Sequence, residues 1–139
     1  MGATAIGPNY ILDKTFEVAS GYTITGYQAL EGVAAGTCMP ADGDDAPYLG
    51  VSQLDPNEGV TISAGETVRV RMLGLSKVQA AAAVAVYAKV RVVALGLVDD
   101  ANPGTAGDYW LGQAMEAATQ LFDIITIDLT LKNTQYFTS

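Results

Sequence analysis

Fifteen carboxylates, seven cations, a single cysteine and no histidine are what this 139-residue chain has for chemistry. Without histidine it lacks the commonest general base, the usual partner of a nucleophilic serine and the commonest metal ligand. Hydrolases of the serine or cysteine type are therefore not expected. A carboxylate pair could still do acid–base work, and the candidates lie in Asp42-Gly-Asp44-Asp45, with Asp55 and Glu58 nearby. These acids sit among turn residues, where solvation keeps a carboxyl near its ordinary pKa, so the expectation is a solvated acidic loop. Their spacing also misses the calcium loop of an EF-hand, which needs a glycine at its sixth position and a bidentate Glu at its twelfth. No glycine-rich phosphate motif occurs, and Gly32-Val-Ala-Ala-Gly36 means only a flexible turn. Cys38 has no partner for an intrachain disulfide and no companions for a zinc site, and is expected as a small buried hydrophobe. No catalytic, cofactor-binding or metal-ligating residue is assigned, and the expectation is a protein that is not an enzyme.

The cations are more informative than the acids. Arg69, Arg71, Lys89 and Arg91 fall in two alternating, strand-like runs. If those strands are neighbours, period-two alternation puts all four on one face, a positive stripe on a negative protein. Two readings stand open: local pairing with the surplus acids, worth little per exposed pair, or a contact with a second subunit or an acidic partner. Trp110 has the same two-sided character, as an interface anchor or as core.

The formal net charge of −8 repels phosphate backbones, so nucleic acid is not an expected partner. No uninterrupted apolar stretch reaches the eighteen or so residues of a membrane helix, and the N-terminus lacks the pattern of a secretory signal, so a soluble product of the cytoplasm is expected. Half of the residues are apolar, and the mean hydropathy of +0.25 is high for a small soluble monomer, pointing to apolar surface that meets another chain.

The elements that must position these residues read as short strands and tight turns. Val68, Val70 and Met72 alternate with Thr67, Arg69 and Arg71. Val84, Val86, Val90 and Val92 share one parity, which predicts a strand over about 84–93, while residues 77–83 read as strand or one helical turn. Ile125, Ile127, Leu129 and Leu131 share a face in the clearest run of all. Length favours a single unit, read as an extended N-terminal arm over 1–15, a β domain over 16–131 and a polar tail over 132–139. Apolar Ile6, Tyr10, Ile11 and Leu12, with Pro8 and Asn9, make the first segment an arm that orders against a neighbour in preference to a frayed end. An internal echo runs through the domain: Tyr48-Leu-Gly-Val-Ser-Gln, a turn and Thr67–Leu73 are answered by Tyr109-Trp-Leu-Gly-Gln-Ala-Met, a turn and Ile124–Leu131. The expected fold is all-β, a small β-barrel or β-sandwich with a pseudo-repeat.

Tyr48-Leu-Gly-Val-Ser-Gln followed by Glu66-Thr-Val-Arg-Val-Arg-Met-Leu-Gly74, then Leu95-Gly-Leu-Val-Asp and Tyr109-Trp-Leu-Gly-Gln-Ala-Met, resembles the capsid cement (decoration) proteins of tailed bacteriophages, over about Tyr22 to Leu131. The chain departs from that pattern at Trp110–Gln113, where Val-Gly is more usual, and in the alanine run Ala80–Ala83. The resemblance implies a structural protein on the outer surface of a phage head, homotrimeric, with an arm formed here by Ile6, Pro8, Asn9, Tyr10, Ile11 and Leu12 reaching across seams of the major capsid protein. The rival expectation is a glycan-binding β-sandwich of a head fibre or adhesin, with Tyr22, Tyr27, Tyr48, Tyr109 and Trp110 supplying aromatic platforms.

Overall fold

The computed structural model describes residues 11–55 and 58–137. The chain is all-β. Its first half contains β1 (Leu12–Val18), β2 (Thr23–Ile24), β3 (Ala29–Gly32), β4 (Thr37–Pro40), β5 (Tyr48–Ser52), β6 (Ile62–Ser63) and β7 (Thr67–Leu73). Five of these close a barrel in the order β1-β4-β3-β5-β7. Alternation decides which side chains fill it: Val68 and Val70 of β7 point inward with Val18, Ile24, Leu30 and Cys38, while Arg69 stays outside. Burial raises the Cys38 thiol to a pKa of about 11, so it stays a neutral thiol at physiological pH.

The second half repeats the wiring. It contains β8 (Leu75–Gln79), β9 (Lys89–Ala94), β10 (Leu97–Asp99), β11 (Tyr109–Trp110), β12 (Gly112–Ala114), β13 (Ile124–Asp128), a 3-10 turn (Leu129–Leu131) and β14 (Thr134–Gln135). The sheet order β10-β9-β12-β13-β8 answers β4-β3-β5-β7-β1 strand for strand. The parallel pair Val18↔Cys38 has its counterpart in the parallel bridge Ala80↔Val98. The β2–β6 pair Ile24↔Ile62 has its counterpart in Val84↔Ala118.

The Leu-Gly echo sits at matching points of the two patterns, Leu30↔Gly50 and Val90↔Gly112. Both glycines are there because the neighbouring strand comes too close for a side chain. A Cβ on Gly50 would lie 1.9 Å from the Arg71 carbonyl oxygen, and one on Gly112 would lie 2.4 Å from that of Asp128.

The halves are packed on one another. Ala29, Ala41, Tyr48 and Val51 of the first half join Val78, Val90, Val92, Val98, Leu111 and Ile127 of the second in one buried cluster. The second hairpin seals the junction: Gly96 accepts a hydrogen bond from Ala29 N (3.1 Å) and donates to the Ala41 carbonyl (2.9 Å).

Several boundaries differ from those expected. The valine-rich run becomes a strand only at Lys89, because Tyr87 takes a left-handed φ of +67° that breaks the pleat, leaving Val86 exposed. Of residues 77–83, Lys77 to Gln79 complete β8, and no helical turn follows. The last apolar run turns after Asp128, whose carboxylate accepts from Thr130 N (2.9 Å) and Oγ1 (2.6 Å) and caps the 3-10 turn, so Leu131 leaves the buried face. Leu12 to Thr15, expected as part of an N-terminal arm, belong to β1, where Asp13 pairs with Arg71 and Thr15 with Arg69. Residues 132–137 are built into the fold, with β14 paired to β11.

Candidate functional site

The four cations expected to form a stripe are not brought together. β7 and β9 lie in different sheets, so alternation within each run could not align them. Arg71 is bidentate to Asp13, Nε to Oδ1 at 2.9 Å and Nη2 to Oδ2 at 3.1 Å, and Arg69 approaches the same carboxylate at 3.5 Å. The hydrogen bonds from Arg71 hold the Asp13 carboxyl below its ordinary pKa of 3.8. Arg91 pairs with Asp44 at 3.0 Å and also donates to the Ala101 carbonyl (2.9 Å). Three of the four cations are thus locally paired, and Asp44 is held in an ion pair. Among the described residues, no three carboxylate or thiol groups gather as a metal set.

Lys89 has a different setting. It lines an open cleft of about 600 Å³ together with Ala88, Asp100, Asn102, Trp110, Gln135, Tyr136 and Phe137. Trp110 is 6% exposed and forms the floor, its ring edge-on to Tyr136 with centroids 6.2 Å apart and planes at 83°. Beside this region the Asp108 carboxyl is raised above its ordinary value by lost hydration and then by the charges of Asp44 and Asp45. The cleft offers an amine, a carboxylate, two amides and aromatic edges. The aromatics expected to supply glycan platforms are not brought together on one face: Tyr48 and Trp110 are buried, Tyr27 and Tyr109 pack on the shared cluster, and Tyr22 is exposed.

The architecture is similar to that of a solved structure almost end to end. The crystal structure of the head fibre gp8.5 N base in bacteriophage phi29 aligns with 91% of this chain and 100% of its own, at a TM-score of 0.63 and 16% identity. The two proteins share a fold. No family model matches the chain, and no curated protein matches it. At that identity, side-chain roles have to be argued from this chain's own geometry.

Of the arm residues, Ile6, Pro8, Asn9 and Tyr10 lie outside the described residues. Ile11 and Leu12 are exposed, Leu12 at the mouth of the first barrel opposite Leu73. Sequence reasoning missed Lys132 and Asn133, which strap the two halves together. Asn133 accepts from Tyr48 N (2.7 Å) and donates to the Tyr48 carbonyl (3.0 Å), and Lys132 Nζ donates to the Leu49 carbonyl (2.5 Å). Burial lowers the Lys132 pKa and raises that of the Tyr48 phenol. That phenol stays neutral, accepting from Val92 N (3.2 Å) and donating to the Tyr109 carbonyl (3.3 Å). The available signal was the asparagine itself, a residue type suited to the left-handed φ of +66° it adopts there.

Proposed function

We propose that this chain is a non-enzymatic structural protein of a phage head, seated on the outer surface of the capsid as a homotrimer that bridges subunits of the major capsid protein. The observation that carries this reading is the fold likeness to the phi29 head fibre base, which takes in the whole of that chain. The short cement-protein motifs point the same way from the sequence side. The site chemistry is compatible: Arg69, Arg71 and Arg91 pair with Asp13 and Asp44, and exposed apolar side chains stand on a strongly acidic body. A trimer would multiply modest contacts through effective concentration, and the net negative charge would keep a crowded shell soluble.

The test is co-sedimentation with expanded, DNA-free phage heads. Saturable binding with copies in multiples of three per site is expected, together with heads that survive higher temperature. Heads that stay bare at saturating protein would overturn the proposal. Removing residues 1–10, which stops short of β1, should weaken binding at least about tenfold if those residues reach across seams, since each lost decade is about 1.4 kcal/mol of contact.

A second reading is favoured by the cleft. Amides at Asn102 and Gln135, a carboxylate at Asp100 and the aromatic edges of Tyr136 and Phe137 are the groups a saccharide needs. A glycan array, with Lys89→Ala as control, distinguishes a fibre-type binding module from a purely structural one.

A further inference from the structure

The two halves correspond position by position around the β2–β6 ribbon and its counterpart, the Val84↔Ala118 bridge. In the first half, the segment Tyr22-Thr-Ile-Thr-Gly-Tyr27 and the turn Ala64-Gly65 flank the β2–β6 ribbon. Their counterparts in the second half are Ala82-Ala-Val-Ala-Val-Tyr87 and Leu121-Phe122, flanking the Val84↔Ala118 bridge. The backbone equivalence is close. Tyr27 N donates to the Ser52 carbonyl and Tyr87 N to that of Ala114; Gly65 N donates to the Val18 carbonyl and Phe122 N to that of Ala80. Threonine and glycine have thus given way to alanine, valine, leucine and phenylalanine on an outer surface.

Two features single this surface out. Tyr87 and Phe122 hold left-handed backbone (φ +67° and +68°), a conformation bulky side chains rarely adopt, and both are largely exposed, at 64% and 58%. The equivalent of Tyr87 is Tyr27, also left-handed (φ +50°) but packed on the shared cluster, and the equivalent of Phe122 is Gly65, for which the conformation carries no steric penalty. The matching face of the first half is also already an interface within the chain. The Gly26 and Tyr27 carbonyls accept from Gln79 of the second half (2.7 and 3.1 Å), and Tyr27 packs on the shared cluster. In the second half the corresponding residues, Val86 and Tyr87, are exposed instead.

Charge selects the occupant. Segments 82–87 and 115–122 hold one ionisable acid, Glu116, and no cation, on a chain of net charge −8. Glu116 is turned onto Thr126 N (2.8 Å), and the adjoining Asp123 caps Thr119 N (2.8 Å) and Gln120 N (3.3 Å). A partner of opposite charge would be met by a charged face. Two copies of the same acidic chain approach with least repulsion through a sparsely charged one whose carboxylates, Glu116, Asp123 and Asp100, are turned onto backbone N–H groups. We infer that copies of this chain meet through the Val86, Tyr87, Met115, Leu121 and Phe122 surface of the second half, an assignment that rests on the homotrimer reading and gives it an interface.

The test pairs Tyr87→Asn with Phe122→Gly, which deletes both aromatic side chains and leaves at each left-handed position a residue type that adopts it readily. The expected result is a melting temperature equal to or above that of the wild type, with self-association measured by sedimentation equilibrium weakened at least about thirtyfold. Met115→Glu, which adds charge without touching the turns, should weaken association as well and decides the matter if the double variant fails to fold. Unchanged association of a folded variant would overturn the inference, as would a wild-type chain that sediments as a monomer at every concentration, or variants that stay assembled but lose heads. A wild-type oligomer that these substitutions dissolve supports the contact even where it ignores heads, a result that removes the head reading alone.

Discussion

Asp13 ties the first strand of the barrel to the last through its ion pair with Arg71. Its two oxygens receive both faces of the Arg71 fork, and each side chain is about one-fifth exposed. The hydrogen bonds and charge of Arg71 depress the folded pKa of Asp13, so the sign of the pH dependence is fixed. The pair contributes in full above the ordinary carboxyl value of 3.8 and is lost as the pH falls through the depressed folded value. Asp13→Asn should lower stability at neutral pH by about 1–2 kcal/mol. In urea melts taken at successively lower pH, the gap to wild type should close as the wild-type carboxyl protonates. A gap that stays constant from neutral to acid would show that the pair is not coupled to folding. The sequence announced the alternating arginines of β7 but not this partner, since Asp13 was read as arm and only the β1–β7 register brings the two together.

At the level of elements, the tail after the 3-10 turn holds the two halves through side chain to backbone bonds. Asn133 replaces strand pairing at the Tyr48 backbone, and its own N–H donates to the Trp110 carbonyl (2.9 Å). Asn133→Gly keeps the left-handed turn but loses the amide, at a cost of about 1–2 kcal/mol; Asn133→Ala loses both and should cost about 1 kcal/mol more. Thermal melts of the two variants should therefore rank Ala below Gly below wild type. An Ala variant as stable as Gly would show that the turn strain is not felt. The tail was read from sequence as a polar end because it has no hydrophobic period, and its bonds reach residues 85 positions away. The Leu-Gly echo was legible for the opposite reason. Close backbone approach demands glycine at both Gly50 and Gly112, which marks the sequence directly. Strand ends were less legible: Val84 to Val93 alternates cleanly, and only the left-handed Tyr87 shows why pairing begins at Lys89.

For the whole molecule, the basic stripe failed because it needed knowledge of sheet order, which no residue pattern contains: the same wiring drawn twice sends β7 and β9 to different sheets. That doubling raises the question of whether each half is a folding unit. The first barrel has a private core of Val18, Ile24, Leu30, Cys38, Val68 and Val70. The outer faces of β3 and β5, however, place Ala29, Tyr48 and Val51 in a cluster otherwise built by the second half. Gly96 can seat on Ala29 only because it lacks a Cβ, which would lie 2.7 Å from the Ala29 carbonyl oxygen. Separating the halves would expose that apolar face and leave the Tyr48 hydroxyl without its Val92 and Tyr109 partners. Each of those groups then costs about 1–3 kcal/mol wherever it stays buried and unpaired. The intact chain should accordingly unfold in one transition, with calorimetric and van't Hoff enthalpies in agreement, while a fragment ending at Leu73 should be poorly folded or should aggregate through the exposed β3–β5 face. Two resolved transitions, or a fragment that melts cooperatively by itself, would mean that the shared cluster is a docking contact between independently folding halves and not a common core.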